Sequence, residues 1–468
     1  MRPLPRPLLA TLALALGGCS LAPVYKVPPQ ALPAHYASAG PAAANPSPDS
    51  RWWQRYQDPQ LDQLQQQLLQ ANPTLAAAVA HYDAARAAAG EIASARFPQL
   101  DASGSPVRQR QSDRRPLRGT TQPDEYDSNT LTLSLSFDLD LWGRLRNLAA
   151  AGHARARASG DDLAAATLSL QQQLTALYLQ LRGLQAQGQI LEASLDDYRQ
   201  ALALTEHRYQ GDIAPELDVV RARHQLASAQ AERDDNLAQC ELALHALAEL
   251  VGQPASGFTL AAGSKPTLPQ VPLELPSALL QRRPDIAAAE RRVFAANAGI
   301  GVARAAWFPQ LGLSALLGGQ TAGSGNLLAA GNRYWALGPV ATLPIFDGGK
   351  RKALKQGAQA EFDAAAAQYR GVVLHAIRQV EDQLTELRQL ALQQVDLQDA
   401  VTAATAAEQI ARNRYDAGAA SYLDVVTAQT DARVAQLALQ QVLTRQLQAS
   451  SALMAALGGG WQDAPAAS

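Results

Sequence analysis

The chain has 468 residues, of which 47% are hydrophobic, 5% aromatic and 18% charged, and its formal net charge is −2. This near-neutral balance lacks the clustered basic surface of a nucleic-acid-binding protein, so we expect no nucleic-acid partner. The chain is rich in Ala, Leu and Gln, a composition typical of long helices and coiled coils.

The first 18 residues have the features of a secretory signal peptide. Arg2 and Arg6 supply a positive start, and the apolar run 8–16 is too short to span a bilayer. The stretch Leu-Gly-Gly-Cys ending at Cys19 resembles a bacterial lipobox. This resemblance implies cleavage before Cys19 and lipidation of its thiol, and Ser20 in place of Asp favours sorting to the outer membrane. The alternative is an ordinary cleavage site at which Cys19 is merely a small residue.

No motif for catalysis or metal binding occurs in the chain. It contains no CxxC, no HExxH and no glycine-rich phosphate loop, and its seven histidines lack ligand spacing. Once Cys19 is acylated, Cys240 has no thiol partner for an intramolecular disulfide. We therefore expect no enzymatic activity, no metal site and no cofactor other than the covalent lipid.

The mature chain is an internal repeat. The stretch 72–100 aligns without gaps on 283–311, at an offset of 211 residues, and both end in Phe-Pro-Gln-Leu. Further along the offset is 206, as Gly143 and Gly349 show. Each repeat is predicted to contain a helix, two strands, a long helix and a returning helix. The predicted organisation is a signal peptide (1–18), an N-terminal segment with a short helix (19–72), repeat 1 (73–252), a linker (253–283), repeat 2 (284–458) and a tail (459–468).

Strands are predicted over 99–108, 128–141, 309–320 and 333–346. In the second of these, apolar residues from Leu131 to Leu141 alternate with Thr, Ser and Asp, so one face is apolar and the other polar. About eleven such residues would cross a bilayer as a tilted barrel strand. Asp138 and Asp140 on the polar face would suit a water-filled lumen. The alternative is a half-buried strand of a soluble sandwich.

Four strands cannot close a barrel in a membrane. An open edge facing lipid would leave backbone groups unsatisfied, at several kcal/mol each. Several chains must then share one barrel, and the residues alone leave open whether two, three or four chains do so.

Long helices are predicted over 143–209 and 349–415, each roughly 100 Å long at 1.5 Å per residue. Their leucines have coiled-coil spacing, so neighbouring helices should cover them. Two similar phrases, RYQGDIAPELDVV and RYDAGAASYLDVV, follow the long helices. Gly211 and Gly418 are expected to adopt the left-handed conformation that ends a helix. Pro215 and Ser421 are expected to start the returning helices, as first-turn residue and N-cap. We call these turns the first tip (208–216) and the second tip (414–422).

Four stretches resemble the TolC/NodT-type outer-membrane efflux channels, in their lipoprotein subgroup. The resemblance covers nearly the whole mature chain, and the phrase LPSALLQRRPDIAAAE is highly specific. The stretches are RWWQRYQDPQLDQLQQQLLQANPTLAAA from Arg51, VPLELPSALLQRRPDIAAAERRVFAANAGIGVARAAWFPQL from Val271, PIFDGGKRKA from Pro344 and RYDAGAASYLDVVTAQ from Arg414.

The resemblance implies both architecture and function. The fold class is mainly α with transmembrane β: a homotrimer with a 12-stranded outer-membrane β-barrel, continued by a 12-helix periplasmic α-barrel. Such a channel is the passive exit duct of a tripartite efflux pump in a Gram-negative outer membrane. Its partners are outer-membrane lipid, a periplasmic adaptor (membrane fusion protein) and an inner-membrane pump, commonly of the resistance–nodulation–division type. The transported substrate stays open.

The resemblance also implies roles for residues of the tips. Leu423 and Asp424 match apolar and acidic rings of the periplasmic gate, and Tyr415 matches a tyrosine that helps to hold the closed state. Thr427 departs from the pattern, because many members carry Asp there. Alternatively, Asp424 caps or salt-bridges within its own hairpin. The residues that would contact the adaptor are Tyr209, Gly211, Leu217, Asp218, Gly418 and Ser421.

Two other functions fit part of the sequence. A type I protein-secretion exit duct is the nearest alternative among channels. A trimeric envelope tether or adhesin lipoprotein would also combine a lipid anchor, long helices and shared strands. Such a tether usually carries its strands at one end of the chain, whereas strand pairs recur here inside both repeats, which favours a channel.

Overall fold

A computed structural model describes residues 20–37, 50–112, 123–261, 263, 266–271, 278–323 and 325–462. The predicted signal peptide and the lipidation site Cys19 lie outside these residues.

Both repeats fold into the same order of elements. A 3-10 helix (Trp52–Tyr56) and helix α1 (Pro59–Ala71) precede repeat 1. Repeat 1 contains α2 (Pro73–Ser94), β1 (Gln99–Arg110), β2 (Glu125–Leu139), α3 (Arg144–Gln210) and α4 (Glu216–Leu250). After the short helix α5 (Leu279–Arg282), repeat 2 contains α6 (Pro284–Ala305), β3 (Gln310–Ala322), β4 (Arg333–Thr342), α7 (Lys350–Asp416) and α8 (Tyr422–Ala456). A short 3-10 turn (Ala330–Asn332) precedes β4.

The four strands form one antiparallel sheet in the order β1-β2-β3-β4, so β1 and β4 are its edges. Leu133 pairs with Ala102 of β1 and with Leu317 of β3, and Leu317 pairs with Trp335 of β4. This row belongs to an apolar face that is largely exposed in the single chain. On the polar face, the hydroxyls of Thr132 and Tyr334 lie 2.6 Å apart.

Two strands end earlier than the sequence predicts. β4 ends at Thr342 rather than at 346, because its last partner, Gln310, is the first residue of β3. β2 ends at Leu139 rather than at 141. The Asp140 carboxylate then accepts the backbone N–H groups of Leu145 (2.9 Å) and Arg146 (2.8 Å) at the start of α3. Asp140 thus caps a helix and does not line the polar face of the sheet.

Contacts divide the chain into two compact units that do not follow the repeats. As far as their residues are described, the first unit comprises Met1–Pro29, Tyr82–Ser159 and Ala288–Tyr369. The second comprises Gln30–His81, Gly160–Ala287 and Arg370–Ser468. Each long helix contributes to both units, which is why the repeat boundaries and the unit boundaries differ.

The main apolar core lies in the second unit. Trp52 and Tyr56 of the 3-10 helix pack with leucines of α1, the middle of α3 and the end of α4. The Tyr178 hydroxyl donates to Asp58, the N-cap of α1, at 2.6 Å. Cys240 is half-buried against this core, and burial raises the pKa of its thiol. No helix in the described part of the chain is long and apolar enough to cross a membrane.

The specific phrase around Arg283 has a structural role in the second unit. The buried Arg283 guanidinium donates two hydrogen bonds to the Asp285 carboxylate, at 3.0 and 2.6 Å. It also donates to the Ala456 carbonyl at the end of α8, at 3.0 Å. A buried cation paired in this way at a helix C-terminus ties the start of α6 to the end of α8.

In the first unit, residues 20–25 form a strap along one face of α6. The Tyr25 hydroxyl donates to Glu290 at 2.9 Å, and its ring packs edge-on against Phe294. The amide of Asn297 donates to the Pro23 carbonyl at 2.9 Å. A Cβ at Gly301 would lie 2.8 Å from the backbone nitrogen of Ala22, so the strap requires glycine there. The chain is therefore held on α6 from the first residues after Cys19.

Candidate functional site

The second tip ends α7 with a Schellman turn. The Ala419 N–H donates to the Arg414 carbonyl at 2.7 Å, and the Gly418 N–H donates to the Tyr415 carbonyl at 3.0 Å. Gly418 has φ +73°, so it adopts the left-handed conformation that the sequence predicts for it. Glycine is suited to this position because it has no Cβ to clash with the backbone.

The first tip makes the same turn, but Gly211 is not the left-handed residue. The two hydrogen bonds recur, to the carbonyls of Arg208 (2.8 Å) and Tyr209 (3.0 Å). Asp212 has φ +56°, whereas Gly211 still donates a helical bond to the His207 carbonyl at 3.1 Å. The prediction for Gly211 is wrong because the left-handed residue lies three positions after the tyrosine in both tips, and in the first tip that position is Asp212. Aspartate tolerates the left-handed region.

Asp212→Gly is expected to stabilise the first tip by about 0.5–1 kcal/mol, because it relieves a non-glycine residue of a left-handed conformation. Gly418→Ala is expected to destabilise the second tip by about 1 kcal/mol, because it places a Cβ on a residue with a left-handed backbone. Amide hydrogen exchange of the two tips would measure both changes. Faster exchange in Asp212→Gly would contradict this account of the first tip.

The returning helices begin differently at the two tips. Pro215 is the N-cap of α4 and not, as predicted, its first-turn residue, and it provides no side-chain cap. Ser421 is the N-cap of α8, as predicted, and forms a capping box with Asp424. The Asp424 carboxylate accepts the Ser421 N–H and hydroxyl, each at 2.9 Å. These hydrogen bonds lower the pKa of Asp424.

Tyr415 is the buried centre of the tips, with 7% of its surface exposed. It packs in an apolar cluster with Ala222, Tyr422 and Val425. The Arg208 guanidinium lies 4.4 Å from the centre of the Tyr415 ring and donates to the Tyr415 carbonyl at 3.2 Å. The Tyr415 hydroxyl is buried and has no hydrogen-bond partner among the described residues. Tyr415 thus connects the end of α7 with α4, α8 and the first tip.

All of the other predicted site residues except Asp218 are exposed. Tyr209, the repeat counterpart of Tyr415, is 44% exposed, and Leu423 is 46% exposed. Leu217 is exposed as well, whereas the Asp218 side chain is only 15% exposed and forms an ion pair with Arg221 at 3.8 Å. Asp424 is exposed and held by Ser421. The single chain therefore brings Tyr415 into contact with the first tip, but leaves Leu423 and Asp424 free to face another molecule.

Sequence reasoning missed Arg208, Tyr422 and Val425, which form the surroundings of Tyr415. Arg208 was visible as the first residue of the repeated phrase. Tyr422 and Val425 are three residues apart on one helical face, the spacing of a buried pair. Thr427 donates its hydroxyl to the Leu423 carbonyl at 2.9 Å. No group of three potential metal-ligating side chains is found within the described ranges.

Comparison with known proteins defines the class to which this fold belongs. The family model described as outer membrane efflux protein matches residues 64–253 and 275–459. The chain belongs to this family, and it is an outer-membrane component of an efflux system. Proteins of the family are channels and need no cofactor. The predicted family, the mainly helical fold class and the predicted function as an outer-membrane efflux channel are thereby confirmed.

Individual relatives match over nearly the full length. Outer membrane protein OprJ of Pseudomonas aeruginosa is 32% identical over 97% of this chain and 95% of its own. Pyoverdine export outer membrane protein OpmQ of the same organism is 34% identical over 97% of this chain and 96% of its own. The solved structure of the outer-membrane channel OprN is 32% identical, with a TM-score of 0.87 over 95% of this chain and all of that chain.

Proposed function

We propose that three copies of this chain form the outer-membrane exit duct of a tripartite efflux pump. The observation that carries the proposal is the open four-stranded sheet with an exposed apolar face. In a membrane such a sheet must be closed by further strands. Three chains would supply the twelve strands and twelve long or returning helices that the family resemblance implies.

We propose further that the duct is gated at the tips, with Tyr415, Leu423 and Asp424 as the gate residues. The exposure of Leu423 and Asp424 supports this role, because three copies of each would face a common axis in a symmetric trimer. The buried Tyr415 would hold the tips together. The adaptor would bind the exposed surfaces of both tips, and a pump of the resistance–nodulation–division type would lie beyond it.

The proposed cargo is a small molecule. OpmQ, which is 34% identical to this chain, is named for pyoverdine export. Cys19 is proposed to carry the lipid anchor, and the strap that holds residues 20–25 on α6 supports a fixed anchor point. The mass of the mature N-terminal peptide would show the acyl chains, and Cys19→Ser should lose them.

Single-channel recording in planar bilayers tests the duct itself. The purified trimer should show a small, cation-preferring conductance that rises sharply in Leu423→Ala. If neither protein conducts although both assemble, the gate assignment to Leu423 is contradicted. Two readings then remain, a tightly closed duct whose gate lies elsewhere and the tether, and the tether becomes the leading one. Drug accumulation in cells would separate small-molecule efflux from protein secretion. Cells that lack the chain should accumulate less drug once the chain is restored only if the duct conducts small molecules.

A further inference from the structure

The two edges of the sheet end in exposed apolar residues. Ile345 and Phe346 follow β4 and are 90% and 91% exposed. Leu100, near the start of β1, is 62% exposed. These residues lie at the same end of the sheet, because β1 begins where β4 ends. Both edges therefore present apolar side chains beside unpaired backbone.

The internal repeat provides a template for what pairs with these edges. The β2–β3 pairing joins the last strand of repeat 1 to the first strand of repeat 2 within one chain. The junction of β4 with β1 of another copy is its equivalent between chains. At the offsets of 206 and 211 residues, β2 maps onto β4 and β3 maps onto β1. The observed register can therefore be transferred.

We propose that β4 of one copy pairs antiparallel with β1 of a second copy in the register Ile345–Leu100 and Leu343–Ala102. These pairs are the equivalents of Leu139–Leu311 and Phe137–Leu313 in β2 and β3. Residues 343–345 then extend β4, as the corresponding residues extend β2. The register rests on the trimer of the proposed function, and it specifies which residues of the neighbouring copies meet.

Backbone hydrogen bonds agree with this pairing. The Gln111 N–H donates to the Asp124 carbonyl at 2.8 Å, so odd-numbered residues of β1 bond to β2 and even-numbered residues face outward. The Gly323 N–H donates to the Asp127 carbonyl at 2.9 Å, so odd-numbered residues of β3 bond to β2. Even-numbered residues of β3 and β4 then bond each other, and the odd-numbered ones of β4 face outward. The backbone N–H and C=O groups of Leu100 and Ile345 therefore both point outward from the sheet, as the register requires.

The edge prolines fit the same register. Pro106 and Pro339 have no N–H, and both nitrogens lie on the outer edges, where a strand tolerates proline. The transferred register places Pro106 directly opposite Pro339. The two absent backbone N–H donors then fall in one residue pair. The hydrogen-bonded pairs on either side of it keep both of their N–H···O=C bonds.

Disulfide cross-linking of four double variants tests the register. The background is Cys240→Ala with Cys19 retained. The matched variants are Leu100→Cys with Ile345→Cys, and Ala102→Cys with Leu343→Cys. The shifted variants recombine the same positions: Leu100→Cys with Leu343→Cys, and Ala102→Cys with Ile345→Cys. Opposed Cα atoms lie about 5.5 Å apart, within disulfide range, whereas a shift of two residues separates them by about 8–9 Å.

Oxidation of membranes with copper–phenanthroline should convert the matched variants largely to covalent trimers, at roughly ten times the yield of the shifted variants. The four single-cysteine variants should give no such ladder. Preferential linking of a shifted variant, or no linking in trimers seen by native electrophoresis, would overturn the register while the trimer stands. A protein that stays monomeric would overturn the trimer and the register together.

Discussion

Tyr415→Ala should open the tips and raise both the conductance and the open probability of the channel. The substitution removes a buried ring that packs with Ala222, Tyr422 and Val425 and lies under the Arg208 guanidinium. Loss of a buried aromatic side chain costs about 3 kcal/mol, which corresponds to roughly a hundredfold change in an equilibrium. Single-channel recording of the purified trimer would measure the open probability directly.

Tyr415→Phe is the matched control. It keeps the ring and removes only a hydroxyl that has no hydrogen-bond partner in the described structure, so the channel should behave like the parent. Arg208→Met should fall between the two, because it removes the cation over the ring and keeps much of the side-chain volume. An unchanged open probability in Tyr415→Ala would show that Tyr415 packs the tips without holding them closed.

Asp424→Gln should abolish most of the cation preference of the channel. The substitution removes one negative charge per chain, and the three charges act together if they surround a common axis. Glutamine at the third position of a helix still accepts a hydrogen bond from the N-cap, so the capping box with Ser421 is retained. Reversal potentials in a potassium chloride gradient would measure the loss of preference.

Ser421→Ala tests whether the cation preference depends on the charge of Asp424 or on its role in the helix cap. It removes the hydroxyl that bonds Asp424 but leaves the carboxylate in place, so cation preference should persist while the start of α8 loses about 1 kcal/mol of stability. If Ser421→Ala loses the preference and Asp424→Gln keeps it, Asp424 acts only as a capping residue.

Much of the fold was predictable because it follows local patterns. The two long helices were expected over 143–209 and 349–415, and they run over Arg144–Gln210 and Lys350–Asp416. Their leucine spacing and lack of proline determine this without reference to the rest of the chain. Strand ends were less predictable, because a strand such as β4 stops where its partner in the sheet begins.

The site was predicted in part. Gly418 and Ser421 have the local roles that their residue types favour, in the turn and at the N-cap. The positive φ of Asp212 depends on where α3 ends, which helix propensity does not determine to one residue. The gate roles of Leu423 and Asp424 stay predictions, because they depend on contacts between copies.

The sequence by itself determined the tandem repeat, the alternating strands and the two tips. Hydrophobic periodicity, proline and glycine determine the backbone conformation over a few residues, so they can be read without the rest of the fold. Only the tertiary structure decided that Tyr415 is buried under Arg208 while its counterpart Tyr209 is exposed. The two tyrosines occupy equivalent positions in the two similar phrases, so their own positions do not show which one is buried. Tyr415 is buried because Ala222 of α4 and Tyr422 and Val425 of α8 pack around it and the Arg208 guanidinium lies over its ring.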